Sequence, residues 1–303
     1  MIKRVVSNVI IVLCLVLAEL AGAAFDPVND DTDIFLANPN IAAERPNVLI
    51  ILDNTANWNQ AFTNEKSALV QVVNNLSDQF NVGLMMFPET GNPNDNVDGG
   101  YVRYHVRQMT TANKTALSSL VNNLNILNDK GNNATVGLAM YEAYLYYAGL
   151  ASKASFGKVK TDTDNTTDPL LSPLSGNHAL PANPTSSSLF RSPIVDGCQR
   201  NFIIYISNGP ANENASARST LQGYLQTLTS KSPPDTITIN PNGQQANWAD
   251  EMARYLANAD INSSSTGTQN AYTYVVEVNP STAGQGADMT ALLRSMATNG
   301  NKK

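Results

Sequence analysis

The chain has 303 residues, 42% hydrophobic and 15% charged, with a formal net charge of −6 at pH 7. That supplies a core for one large domain or two small ones, and the acidic balance argues against nucleic acid as a partner, since phosphate neutralisation needs clustered Lys and Arg. Two histidines (His105, His178) and two cysteines (Cys14, Cys198) exclude a Cys/His zinc site and a disulfide-stapled scaffold.

Residues 1–23 read as a signal peptide. Lys3 and Arg4 make a basic start, Val9 to Ala18 is a continuous apolar run, and Ala21-Gly22-Ala23 offers small residues for cleavage. The run is shorter than the about 20 residues of a transmembrane helix, and Glu19 interrupts it, so no stable membrane span is expected after cleavage. Leu13 before Cys14 argues against lipidation, which needs a small residue there. Cleavage would leave Cys198 alone, to be buried, partnered with another chain or vestigial. A linker over residues 24–44 follows.

From there, short apolar runs alternate with helical patterns. Val48-Leu49-Ile50-Ile51-Leu52 is uninterrupted, as a central parallel strand buried on both faces requires. Phe62, Leu69, Val73, Leu76 and Phe80 mark one helical face, and Val82 to Phe87 a second strand. In Tyr101 to Met109, Val102, Tyr104 and Val106 alternate with Arg103, His105 and Arg107, which predicts an edge strand with one wet face and a solvated His105. Leu117, Leu120, Val121 and Leu124 mark a second helix, and Val136 to Leu150, apolar nearly all round, a deeply buried third. In that third helix Tyr141, Tyr144, Tyr146 and Tyr147 read as core and rim aromatics.

Residues 151–197, rich in Thr, Asp, Ser, Asn and Pro, break the pattern and read as a long, poorly ordered surface insertion in which nothing positions His178 as a base. Phe202 to Ile206 and Tyr272 to Val278 are further strands, with helices around Leu221–Leu228, Trp248–Ala259 and Met289–Met296. The expected fold is α/β: a doubly wound, mostly parallel sheet with one antiparallel edge strand and helices on both faces, over residues 45–303.

Ligands of such sheets bind beyond the carboxyl ends of the strands, where strand order reverses. Three polar loops are candidates there: Asp53-Asn54-Thr55-Ala56-Asn57, Gly131-Asn132-Asn133-Ala134-Thr135 and Ser207-Asn208-Gly209-Pro210. Their side chains are hard oxygen donors, suited to Mg²⁺ or Ca²⁺. A smaller acidic loop, Asn92 to Gly99 with Asp95 and Asp98, lacks the ligand alternation of an EF-hand and reads as a turn.

This pattern resembles a von Willebrand factor type A domain, whose metal-ion-dependent adhesion site is Asp-x-Ser-x-Ser with a distant Thr and a distant Asp. Four ordered stretches are similar to the N-terminal region of PilY-type type IV pilus assembly and tip-adhesin proteins. They are Arg45 to Asp53, Cys198 to Ile204, Trp248 to Leu256 and Leu292 to Ala297. The resemblance implies a metal site of Asp53, Thr55, Asn57, Thr135 and Asn208. Thr55 and Asn57 replace the two Ser, and Asn208 the second Asp, so the site is degenerate and its hold on Mg²⁺ or Ca²⁺ weak.

The implied role is that of an exported, non-catalytic pilus protein acting in assembly, tip capping or adhesion. Its partners would be pilin or minor pilin subunits, a propeller-type partner chain, or a host or surface ligand. Relatives usually continue into a β-propeller absent from this sequence, which suggests a free-standing module or half of a split protein. The alternative is a secreted hydrolase on the same scaffold, since fold alone does not fix function. Against it, no Gly-x-Ser-x-Gly, P-loop or Gly-x-Gly-x-x-Gly follows any predicted strand.

Overall fold

Five strands form one sheet in the order β3-β2-β1-β4-β5. They are β1 (Asn47–Leu52), β2 (Asn81–Met86), β3 (Tyr101–Gln108), β4 (Asn201–Ser207) and β5 (Ala271–Glu277). The computed structural model describes residues 45–55, 60–88, 99–131, 133–164, 178–278 and 286–301. The expected signal peptide, the linker and the Asp95/Asp98 loop lie outside them. β1 pairs in parallel with β2 and β4, β4 with β5 likewise, and β3 runs antiparallel to β2. The expected sheet class is therefore the observed one.

Among the described residues, six α-helices cover it. On one face, α1 (Gln60–Asn75) and α2 (Thr111–Asn123) bury Phe62, Leu69, Val73, Leu117, Leu120 and Val121 against Ile50, Leu52, Leu84 and Met86. On the other lie α3 (Val136–Ala148), α4 (Ala215–Thr229), α5 (Ala249–Asn258) and α6 (Gly286–Asn299), over Leu49, Ile51, Met85, Phe87, Ile203 and Tyr205. Alternate residues of β1 thus enter different cores, which is why its sequence is apolar throughout. Helix starts and stops follow local chemistry: Thr110 and Asn214 cap α2 and α4 by accepting from Asn113 N and Ala217 N, and Gly149, at φ 69°, ends α3. Phe80, which extends the first helical stripe in sequence, lies beyond α1 and is exposed. Beyond the reach of α1 and α2, the β5 residues Tyr274 and Val276 remain 51% and 47% exposed.

Two expectations fail together at β3. Its polar face is not wet: Arg103, His105 and Arg107 are all buried, His105 to 6% exposure. Nor are the described parts of residues 151–197 a loose surface excursion. Asp162 N donates to Val102 O at 2.9 Å, so the insertion runs along the outer edge of β3, while Ala179, Leu180, Phe190 and Ile194 join the core of the α3 face. Asp162 is the reason. Its carboxylate pairs with Arg107, accepts from His105 N, and meets His178 Nδ1 at 2.7 Å. Tyr146 Oη completes the cluster, meeting His105 Nδ1 at 2.7 Å and accepting from Val106 N at 2.8 Å.

A second anchor is Glu142 on α3, whose buried carboxylate accepts from Ser152 Oγ at 2.7 Å and from the backbone N–H groups of Lys153, Ala154 and Ser155. Polar residues of β3 that looked solvated locally meet partners tens of residues away in sequence. Cys198 is a free, exposed thiol, which removes burial from its three alternatives.

Candidate metal centre

The strand order reverses between β1 and β4, and their carboxyl ends lie side by side, Leu52 in register with Ile206. The first residues past the two strands, Asp53 after Leu52 and Asn208 after Ser207, meet at the rim. Asp53 is fully buried. Its Oδ1 accepts from Thr55 N at 2.9 Å and Thr55 Oγ1 at 2.6 Å, and its Oδ2 accepts from Asn208 N at 3.2 Å. Burial pushes the pKa of this carboxyl above its usual value, and the three donors oppose that rise. A carboxylate offers about four lone-pair positions, so one on Oδ2 stays open to a further positive group.

The loops close on one another in pairs. The first meets the second through Asn54, whose backbone O accepts from Gly131 N at 2.9 Å and whose Nδ2 donates to Asp129 O at 2.6 Å. Asn54 also ties the first loop to the end of β2, with Phe87 N donating to its Oδ1 at 2.9 Å. Gly131 has to be glycine for this approach, because a Cβ there would stand 2.8 Å from Thr55 Cγ2. The second loop and the start of α3 join the chain just past the third loop, where Asn212 N donates to Ala134 O at 3.1 Å and Gly137 N donates to Glu213 Oε1 at 2.5 Å. Glu213 thereby caps α3, an N-terminus that Thr135 flanks without a side-chain capping bond.

Of the sequence-derived site residues, Asp53, Thr55 and Asn208 are joined directly by hydrogen bonds. Thr135 is buried at the start of α3, and its Oγ1 accepts from Gly99 N at 2.8 Å. Asn57 lies outside the described residues. Among the described residues, no group of three or more His, Cys, Asp or Glu is arranged to hold a metal ion. The oxygen set of the rim is nonetheless of the kind hard cations take, and it carries more acid than motif reading supplied.

Two acids were missed. Glu213 has no motif to announce it. Glu65 does have a signal: it lies three residues after Phe62 and four before Leu69, so a carboxylate interrupts the apolar stripe of α1. Burial, with the charge of Asp53 adding to it, pushes the Glu65 carboxyl up to about 8. Tyr205 registers the same grouping, since after burial the charges of Asp53, Glu213 and Glu65 all raise its hydroxyl.

The fold is α/β, a mostly parallel sheet with one antiparallel edge strand and helices on both faces. No protein-family profile matches the chain, and no curated protein does. Among solved structures, it is similar to proximal thread matrix protein 1 from the mussel byssus. One match has 10% identity and a TM-score of 0.30 over 60% of this chain and 35% of that one. A second, with a zinc-occupied MIDAS motif, has 10% identity and a TM-score of 0.30 over 60% and 36%. A second crystal form is matched over 86% of this chain and 49% of that one, at 10% identity and a TM-score of 0.33. The chain thus spans about a third to a half of the length of these structures.

Proposed function

We propose that the chain is an exported, non-catalytic module of the type IV pilus system, acting in pilus assembly, tip capping or adhesion through this oxygen-lined rim. The observation that carries the reading is the pairwise closure of three loops around Asp53, Thr55 and Asn208 at the switch point of the sheet. The four stretches resembling PilY-type proteins support it by position. Arg45 to Asp53 leads through β1 into the rim, Cys198 to Ile204 enters β4, Trp248 to Leu256 opens α5, and Leu292 to Ala297 lies in α6.

In this reading Asp53, Thr55 and Asn208 hold Mg²⁺ or Ca²⁺, and Thr135 at the start of α3 is a further oxygen donor for it. The cation supplies a positive centre for an acidic side chain on a pilin, a minor pilin, a propeller-type partner chain or a surface ligand. The chain's own residues do the positioning: Thr55 and Asn208 fix both oxygens of Asp53, and Asn54 locks the loop that carries it.

The hydrolase reading has less support. His105 and His178 are buried, and Tyr146 and Asp162 engage both away from the rim, whereas a hydrolytic base must reach a nucleophile. No helix among the described residues is long and apolar enough to cross a membrane. The test is co-sedimentation of the full chain with purified type IV pili. Binding in Ca²⁺ or Mg²⁺ that is lost in EDTA and in Asp53→Asn supports the role. Absence of binding, or binding indifferent to both changes, refutes it.

A further inference from the structure

The geometry points to Glu65 as a second anionic ligand of a hard divalent cation at this rim, supplying the carboxylate that Asn208 does not. The inference rests on the reading of the rim as a cation site and adds to it a residue from α1, outside the three loops.

Glu65 is 9% exposed, and both of its carboxylate oxygens are buried without a hydrogen-bond partner. No other buried acid among the described residues is left this way. Asp53 and Glu142 accept several hydrogen bonds, and Asp162 pairs with Arg107 and His178. Asp129 meets Lys160, Glu213 caps Gly137, Asp250 accepts from Ser295, and Glu251 accepts from Ile237. A protein that gives every other buried carboxylate at least one partner has left both oxygens of this one bare in an apolar stripe, on the helix that follows the Asp53 loop and close enough for the Asp53 charge to act on it.

Two acids in that relation repel each other when ionised, and each is costly to bury. A divalent cation held by both removes the repulsion and the orphaned oxygens together. The donor set is then two carboxylates, the Thr55 hydroxyl and the Asn208 amide oxygen, with water filling the remaining positions. That ligand charge suits Ca²⁺ or Mg²⁺ and no soft metal. The same sequence unit, β1 with the helix that follows it, supplies both charges, so the loss of a carboxylate from the third loop does not leave a singly charged site.

Calorimetric titration of CaCl₂ into the full chain tests this. Wild type should bind, Asp53→Asn should lose binding, and Glu65→Gln should weaken it at least tenfold. Glu65→Leu, which continues the apolar stripe and so keeps the fold, should weaken it equally. Adding Asn208→Asp to Glu65→Gln should recover most of the loss, a rescue that a merely structural role of Glu65 would not produce. The exposed Asp235→Asn should bind as wild type.

If Asp53→Asn abolishes binding while Glu65→Gln or Glu65→Leu loses less than tenfold, Glu65 is a buried neutral acid. The proposal then falls, and the rim reading stands. Failure of wild type to bind Ca²⁺ overturns both.

Discussion

Glu65 and His105 are each held in a setting that favours the neutral form. In the cation-free chain Glu65 is a buried acid with nothing to accept from, so Glu65→Leu should raise stability at neutral pH by about 1–3 kcal/mol, the scale of an unsatisfied buried polar group, in urea unfolding with EDTA. His105 carries the opposite consequence for pH. Burial lowers it to about 3; Asp162 opposes that shift, while Arg107, His178 and Arg191 reinforce it. The unfolded chain protonates near 6.5 and the native chain does not until about 3. Between those values the unfolded state binds the extra proton, so stability is complete above pH 6.5 and falls as pH drops toward 3, by at most about 1.4 kcal/mol per unit. His105→Gln keeps a hydrogen-bond acceptor toward Tyr146 but cannot titrate. Its stability deficit against wild type, followed by urea unfolding from pH 7 to 4, should therefore shrink with acidification. A deficit constant across that range would remove His105 from the acid response.

At the level of elements, β3 depends on a segment that arrives more than fifty residues later. Asp162→Ala would leave Arg107 buried without its counter-charge and should cost about 3–5 kcal/mol in chemical unfolding, far more than the loss of a surface ion pair such as Lys231–Asp235. This long-range dependence is also why β3 misled the sequence reading. An alternation of Val and Tyr with Arg and His has the period of a half-solvated edge strand, and nothing local announces that Asp162 and His178 cover its polar side. β1 and β4 were legible because burial on both faces demands an apolar residue at almost every position. Asp53 and Asn208 were legible for a related reason, since a parallel strand must release its chain at the carboxyl rim. Glu65 was readable in principle as the one acid within the apolar stripe of α1, but the link to Asp53 needed the fold. Asn54, which fastens two loops, belongs to no spacing rule.

For the whole molecule, one sheet with two unlike helical layers brings three distant loops to a single edge, and the position of the switch between β1 and β4 decides which side chains stand there. The central claim is that this edge holds a divalent cation by way of Asp53. Thermal unfolding of the full chain in saturating Ca²⁺ or Mg²⁺ against EDTA measures that most directly. A cation at one hundred times its dissociation constant adds about 2.7 kcal/mol to the native state. At about 2–4 °C per kcal/mol for a domain of this size, the midpoint should rise by about 5–10 °C, and Asp53→Asn should abolish the rise. Identical midpoints with cation and with EDTA in the wild-type chain, or an equal rise in Asp53→Asn, would contradict the account.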